Sequence, residues 1–147
     1  MKKILKFINE NPNSKDIALL SLRFLPGYYF IVNHGWSKII NPAKWEKLGT
    51  AFTKYFGGIL DFANPFFGFV AAFSESVCAI LITIGLFTRS SSFLALATMF
   101  FAAFKHITTT GSPEKAWLYF SIFLALMLLG PGKYSFDKKF FSNHNEI

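Results

Sequence analysis

Charge is scarce in this chain. Asp, Glu, Lys and Arg make up 16% of its 147 residues, against about 25% in an ordinary soluble domain. Cysteine is scarcer still. Cys78 stands alone, so no intramolecular disulfide and no chemistry needing two thiols of one chain can be built. The basic start, with Lys2, Lys3 and Lys6, is not followed by the apolar run of a secretory signal, and a cleaved signal peptide is not expected. No internal repeat or low-complexity stretch is present, which excludes solenoids and biased tracts. Also missing is any charge-free run of about 18 residues, the length that would mark a membrane span without further argument.

What is present argues for a bilayer nonetheless. Hydrophobic residues reach 52%, with 20 Phe. One core of this size cannot hide that much apolar surface, because a small domain keeps a large share of its surface exposed. Lipid removes the difficulty. The charges that interrupt each apolar stretch then become informative, since ionisable groups inside membrane helices are costly and turn toward the bundle interior. The net charge is +7, with the basic residues placed at segment ends. That pattern suits anionic lipid headgroups and gives no reason to expect nucleic acid as a partner.

The pattern predicts an all-α chain forming a single membrane domain over 1–147, a four-helix transmembrane bundle. Its spans cover about 17–39, 65–87, 91–108 and 116–129. Between the first two, Trp45, Leu48, Phe52, Tyr55, Phe56 and Ile59 recur at helical spacing, with Lys44, Lys47 and Lys54 on the other side. This predicts an amphipathic helix over about 42–60 lying in the membrane interface; a segment packed on the bundle is the alternative. Pro26-Gly27 predicts a break in the first span. Thr88-Arg89-Ser90 reads as the connection between the second and third. Gly130-Pro131-Gly132 ends the fourth, leaving 133–147 as a polar, basic tail. With the amino end inside, Lys2, Lys3, Lys6, Lys15, Arg89, Lys133, Lys138 and Lys139 lie inside, and Lys38, Lys44, Lys47, Lys54, Lys105 and Lys115 outside. Eight against six places both termini in the cytoplasm of a plasma (inner) membrane, multi-pass protein.

Helical geometry then gathers the polar residues. Arg23, Gly27, His34 and Lys38 share one stripe of the first span, because residues about 100° apart realign after eleven positions. Lipid rejects such a stripe. On the second span Gly68, Ala71, Glu75, Cys78, Ala79 and Ile82 share a face whose small residues admit another backbone. Glu75 needs a cation, with Arg23 the first choice and Lys38 the second. His34 and His106 both lie toward the outer ends of their helices, where they could approach one another. Together Arg23, His34, Lys38, Glu75 and His106 form a candidate ligand-binding pocket. Two histidines alone supply neither a metal site nor a strong case for haem. A quinone fits better, with Phe30, Trp36, Met99 and Phe100 as its lining and His34 or Lys38 bonding a carbonyl. A buried ion pair that merely pins helices is the structural alternative. No residue can be named as catalytic.

These residues also carry a family likeness. Arg23 precedes His34-Gly35-Trp36-Ser37-Lys38; Glu75 precedes Ile84-Gly85-Leu86-Phe87-Thr88-Arg89; and the last span closes on Gly130-Pro131-Gly132-Lys133-Tyr134-Ser135-Phe136-Asp137. In this order and spacing, from Leu22 to Asp137, the chain resembles the DoxX family of small four-helix membrane proteins. Arg23, His34, Lys38, Glu75 and Arg89 match the family's charged positions, and Gly35, Gly85, Gly130 and Gly132 its glycines. The resemblance implies a plasma-membrane bundle and a redox association. Relatives called DoxD belong to thiosulfate:quinone oxidoreductases, some members are linked to oxidative-stress complexes, and distant eukaryotic relatives look like assembly chaperones. Two functions follow as expectations. One is a quinone- or redox-linked membrane subunit. The other is a non-catalytic assembly factor or interaction partner. Membrane lipid, a redox partner protein and a second copy of the chain are the partners expected. The lack of paired cysteines separates this chain from disulfide-forming quinone reductases.

Overall fold

The computed structural model describes residues 12–109 and 111–141, which form helices and short turns, with no strand among them. Helix α1 runs from Ser14 to Ile39 as Ser14–Phe30, a π turn at Ile31–Gly35, and Trp36–Ile39. Helix α2 is Trp45–Thr53. Helix α3 comprises Asn64–Phe73, a second π turn at Ser74–Cys78, and Ala79–Ile84. Then follow α4 (Thr88–Ile107), α5 (Glu114–Leu129) and the short α6 (Phe136–Phe141).

Two of these helices are long and apolar enough to cross a membrane, Asp61–Ile84 and Thr88–Ile107. At a rise of about 1.5 Å per residue they measure about 36 Å and 30 Å. Helix α5, with 16 residues, reaches only about 24 Å.

The core is built from Leu19, Phe30, Ala79, Ile82, Ala95, Met99, Ala103, Ala116, Phe123 and Leu126. Alanine on α3, α4 and α5 lets the helix axes approach, the usual device where lipid offers no hydrophobic drive to association. Large apolar side chains also lie outside it: Phe24, Leu25, Trp36, Phe66, Phe93 and Leu118 are all exposed. An exposed apolar surface of this extent suits contact with lipid or with another protein.

Three local expectations change. The chain stays helical through Pro26, and the irregularity falls four residues beyond Gly27, in the π turn. Thr88-Arg89-Ser90 is not a connection but the first turn of α4; the reversal uses Gly85 and Phe87, both at positive φ. The third change concerns 42–60. Only Trp45–Thr53 is α-helical, because Gly57 and Gly58 adopt left-handed φ and end the segment. That helix packs antiparallel along α3. Gly68 sits under the Trp45 backbone and Gly49 against the Asn64 backbone, so closely that a β-carbon at either would overlap backbone atoms. Glycine on both helices converts an amphipathic segment into a packed one. Trp45 then stacks edge-on to Phe69, and Phe52 meets Phe67 and Phe101.

The end of the chain also folds back. Asp137 accepts hydrogen bonds from the Phe87 and Thr88 amides at 2.7 and 2.9 Å. Those amides open α4, where donors have no intrahelical partner, so a residue fifty positions away caps the helix. The Asp137 amide bonds the Gly85 carbonyl at 2.8 Å, and Asp16 accepts from the Lys133 amide at 2.7 Å. Residues 130–141 thus strap the ends of α1, α3 and α4 together. The rest of the expected tail, 142–147, lies outside the described residues.

Candidate binding cavity between α2, α3 and α4

The two π turns meet. Gly35, in the first, lies against the backbone of Glu75 and Ser76, in the second, with no room for a β-carbon. A π turn holds one extra residue and shifts the side chains beyond it around the helix, which is why such turns recur at functional sites. Here the shift carries Lys38 to Glu75. The two side chains form an ion pair and hydrogen bond, with 23% and 4% of their surfaces exposed. Glu75 therefore takes the second of the two expected partners, not Arg23.

Arg23 is held elsewhere. It is fully buried near the end of α3, where Nη2 donates to the Tyr134 carbonyl at 2.7 Å. Gly85 leaves space for the guanidinium, since a β-carbon there would overlap it. One-dimensional spacing placed Arg23 and His34 on one face correctly enough to bury the first and half-bury the second. Their separation along the axis, about 16 Å over eleven residues, puts the two at different depths.

Beside the ion pair lies a cavity of about 330 Å³. Its polar rim consists of Lys38, Glu75, Lys105 and His106, and its wall is apolar, with Phe52 from α2, Phe67 and Val70 from α3, and Leu94 and Phe101 from α4. The cavity thus gathers Lys38, Glu75 and His106 from the expected set. It does not gather Arg23 or His34. His34 instead lies between Phe30 and Tyr119, on a separate groove against α5. His34 and His106 consequently share no cavity, and the expected approach of the two rings does not occur. Among the described residues no group of three His, Cys, Asp or Glu side chains is placed to hold a metal. Phe30 and Met99 are core and Trp36 and Phe100 are exposed, so none of the four lines the cavity as the quinone reading expected.

Sequence reasoning missed Lys105 and the contribution of α2. Lys105 sits on the α4 face one turn beyond Phe101, and Leu94, Thr98, Phe101 and Lys105 form an i, i+4, i+7, i+11 series that marks it. Thr98 also bonds Ser74 at 2.7 Å, joining α4 to the π turn. The cavity can accept an amphipathic molecule. Cations at its rim hydrogen-bond an oxygen acceptor, and the apolar wall takes a ring or chain.

The family model that matches this chain is that of DoxX, over residues 18–107. The chain belongs to the DoxX family. The match runs from Ala18 in α1 to the end of α4, including both π turns and every cavity residue. A relative from Haemophilus influenzae, described only as an uncharacterized protein, is 32% identical over 143 residues, covering 91% of this chain and 98% of the relative. No solved structure matches. Membership in DoxX, with the two apolar helices, points to a membrane protein.

Proposed function

We propose that this DoxX protein is a four-span membrane protein that binds a quinone-like amphiphile in the cavity beside Lys38 and Glu75, as a redox-linked subunit of the plasma membrane. The observation that carries the reading is the cavity itself: an apolar slot of about 330 Å³ with one ion pair and two further basic side chains at its rim. A quinone needs a slot for its ring and a donor for each carbonyl, and Lys105, His106 and Lys38 are donors. Glu75, exchanging its bond with Lys38, is the base for the proton that a quinol hydroxyl releases when its electrons pass to a redox partner protein. In this reading α1 and α5 complete the bundle, and the charges of α1 are tolerated because they face protein. Both termini lie inside.

The test is extraction of the protein, purified in mild detergent, with analysis of bound quinone by mass spectrometry. Near-stoichiometric quinone that falls several-fold in Lys105→Ala supports the proposal. Quinone at the level of an unrelated membrane protein from the same cells contradicts it.

The second reading, an assembly factor or interaction partner, is favoured by a different feature. Ile59 and Phe62, on the turn between α2 and α3, are 77% and 84% exposed. Apolar side chains on a turn at the helix ends suit insertion into the headgroup layer or docking of a redox partner protein. Ile59→Ser with Phe62→Ser would break association with such a partner and leave quinone content unchanged.

A further inference from the structure

A second groove stands apart from the cavity between α2, α3 and α4. It measures about 710 Å³ and runs between α1 and α5, lined by Leu25, Pro26, Tyr29, Asn33 and His34 on one side and Lys115, Leu118, Tyr119 and Ile122 on the other. Its two walls sort by polarity in the same direction. On α5, Lys115 precedes Leu118 and Ile122, over about 10 Å. On antiparallel α1, His34 and Asn33 give way to Tyr29, Pro26 and Leu25, over a similar length. One end of the groove is therefore basic and hydrogen-bonding, and the other apolar. No acidic residue lines it, and Lys115 makes no ion pair among the described residues.

Position sharpens the chemistry. Lys115 is the second residue of α5 and is exposed, so it stands at the helix end, where a long basic side chain reaches headgroup level. Leu118 and Ile122 lie one and two turns deeper. An occupant must place an anion at the mouth and a hydrocarbon below it, which is the disposition of a phospholipid in a leaflet. A neutral or zwitterionic headgroup would leave the excess positive charge unanswered.

We infer that this groove is a site for an anionic phospholipid, its phosphate held by Lys115 and His34 with Asn33 and Tyr119 beside it, and one acyl chain laid along Leu118, Ile122 and Leu25. The lipid would then fill the seam between the first and last helices of the bundle.

Native mass spectrometry of the full chain in mixed micelles tests this, with phosphatidylglycerol and phosphatidylcholine supplied at equal concentration. Phosphatidylglycerol should be retained at least fivefold over phosphatidylcholine. Lys115→Ala should abolish most of that preference, and Lys115→Arg should keep it. Ile122→Trp should lower retention of the lipid without altering any charge, which separates chain binding from nonspecific attraction. Equal retention of the two lipids would overturn the inference, as would preference unchanged in Lys115→Ala and His34→Ala. Displacement of the lipid by inorganic phosphate at the same concentration would show a headgroup site with no chain contribution, and would overturn it too.

Discussion

Breaking the Lys38–Glu75 pair should cost unequally according to which side is removed. Lys38→Met strands a carboxylate whose side chain is 4% exposed, and removing one partner of a buried pair costs about 3–5 kcal/mol. Glu75→Gln strands an ammonium that is 23% exposed on a flexible stem beside a cavity, so it can turn toward that space. Its cost should fall to about 1–3 kcal/mol, below the fully buried figure. Replacing both, as Lys38→Met with Glu75→Gln, leaves neither charge stranded. The double variant should return to within about 2 kcal/mol of the parent, since no unpaired charge is left buried. The coupling between the sites is then at least about 2 kcal/mol, well above the few tenths found for independent positions. Equilibrium unfolding by SDS titration in mixed micelles, run on the four proteins of the cycle, measures it. Additive single effects, or Glu75→Gln costing more than Lys38→Met, would refute a buried pair of this geometry.

Other perturbations probe the remaining contacts. Asp137→Ala removes the acceptor for two amides at the start of α4 and should cost about 1–2 kcal/mol, as lost helix caps do; the same substitution should expose 130–141 to limited proteolysis before the bundle unfolds. Gly35→Ala drives a β-carbon into the Glu75 backbone, and overpacking of this kind costs about 1–3 kcal/mol; it should also lower bound quinone, because the two π turns can no longer meet. The proposed orientation, with both termini inside, predicts that Lys47→Cys reacts with a membrane-impermeant maleimide on intact cells and Lys139→Cys only after lysis. The reverse pattern would invert the topology.

The broad outline was legible because it rests on composition and period. Apolar excess, the Gly130-Pro131-Gly132 stop and the face shared by small residues of α3 survive as helices, a turn and a packed seam, while Pro26 leaves its helix unbroken. Depth was not legible. Angular position on a wheel put Arg23, His34 and Lys38 together, yet their axial separation sends Arg23 to the Tyr134 carbonyl, His34 to the α5 groove and Lys38 to Glu75. The π turns also escaped notice, since an i→i+5 bond has no side-chain signature and the glycine that permits the crossing is one among 10. In the same way, the α2 pattern fitted lipid and protein equally well. Gly49 and Gly68 pack one face of it on α3, a contact visible only when they are seen as a facing pair. The fold-back of Asp137 depends on contacts fifty residues apart, which no local pattern encodes.

The functional reading stands or falls on whether the cavity beside Lys38 and Glu75 holds a ring-bearing amphiphile. Calorimetric titration of the purified protein with a short-chain benzoquinone, in parallel with Ala97→Trp, decides it. Ala97 lines the cavity wall, and an indole there would occupy the space without touching the ion pair. Saturable binding at one site per chain is expected, lost in Ala97→Trp while the variant melts as the parent does. Unsaturable partitioning, or the same isotherm for both proteins, would contradict it.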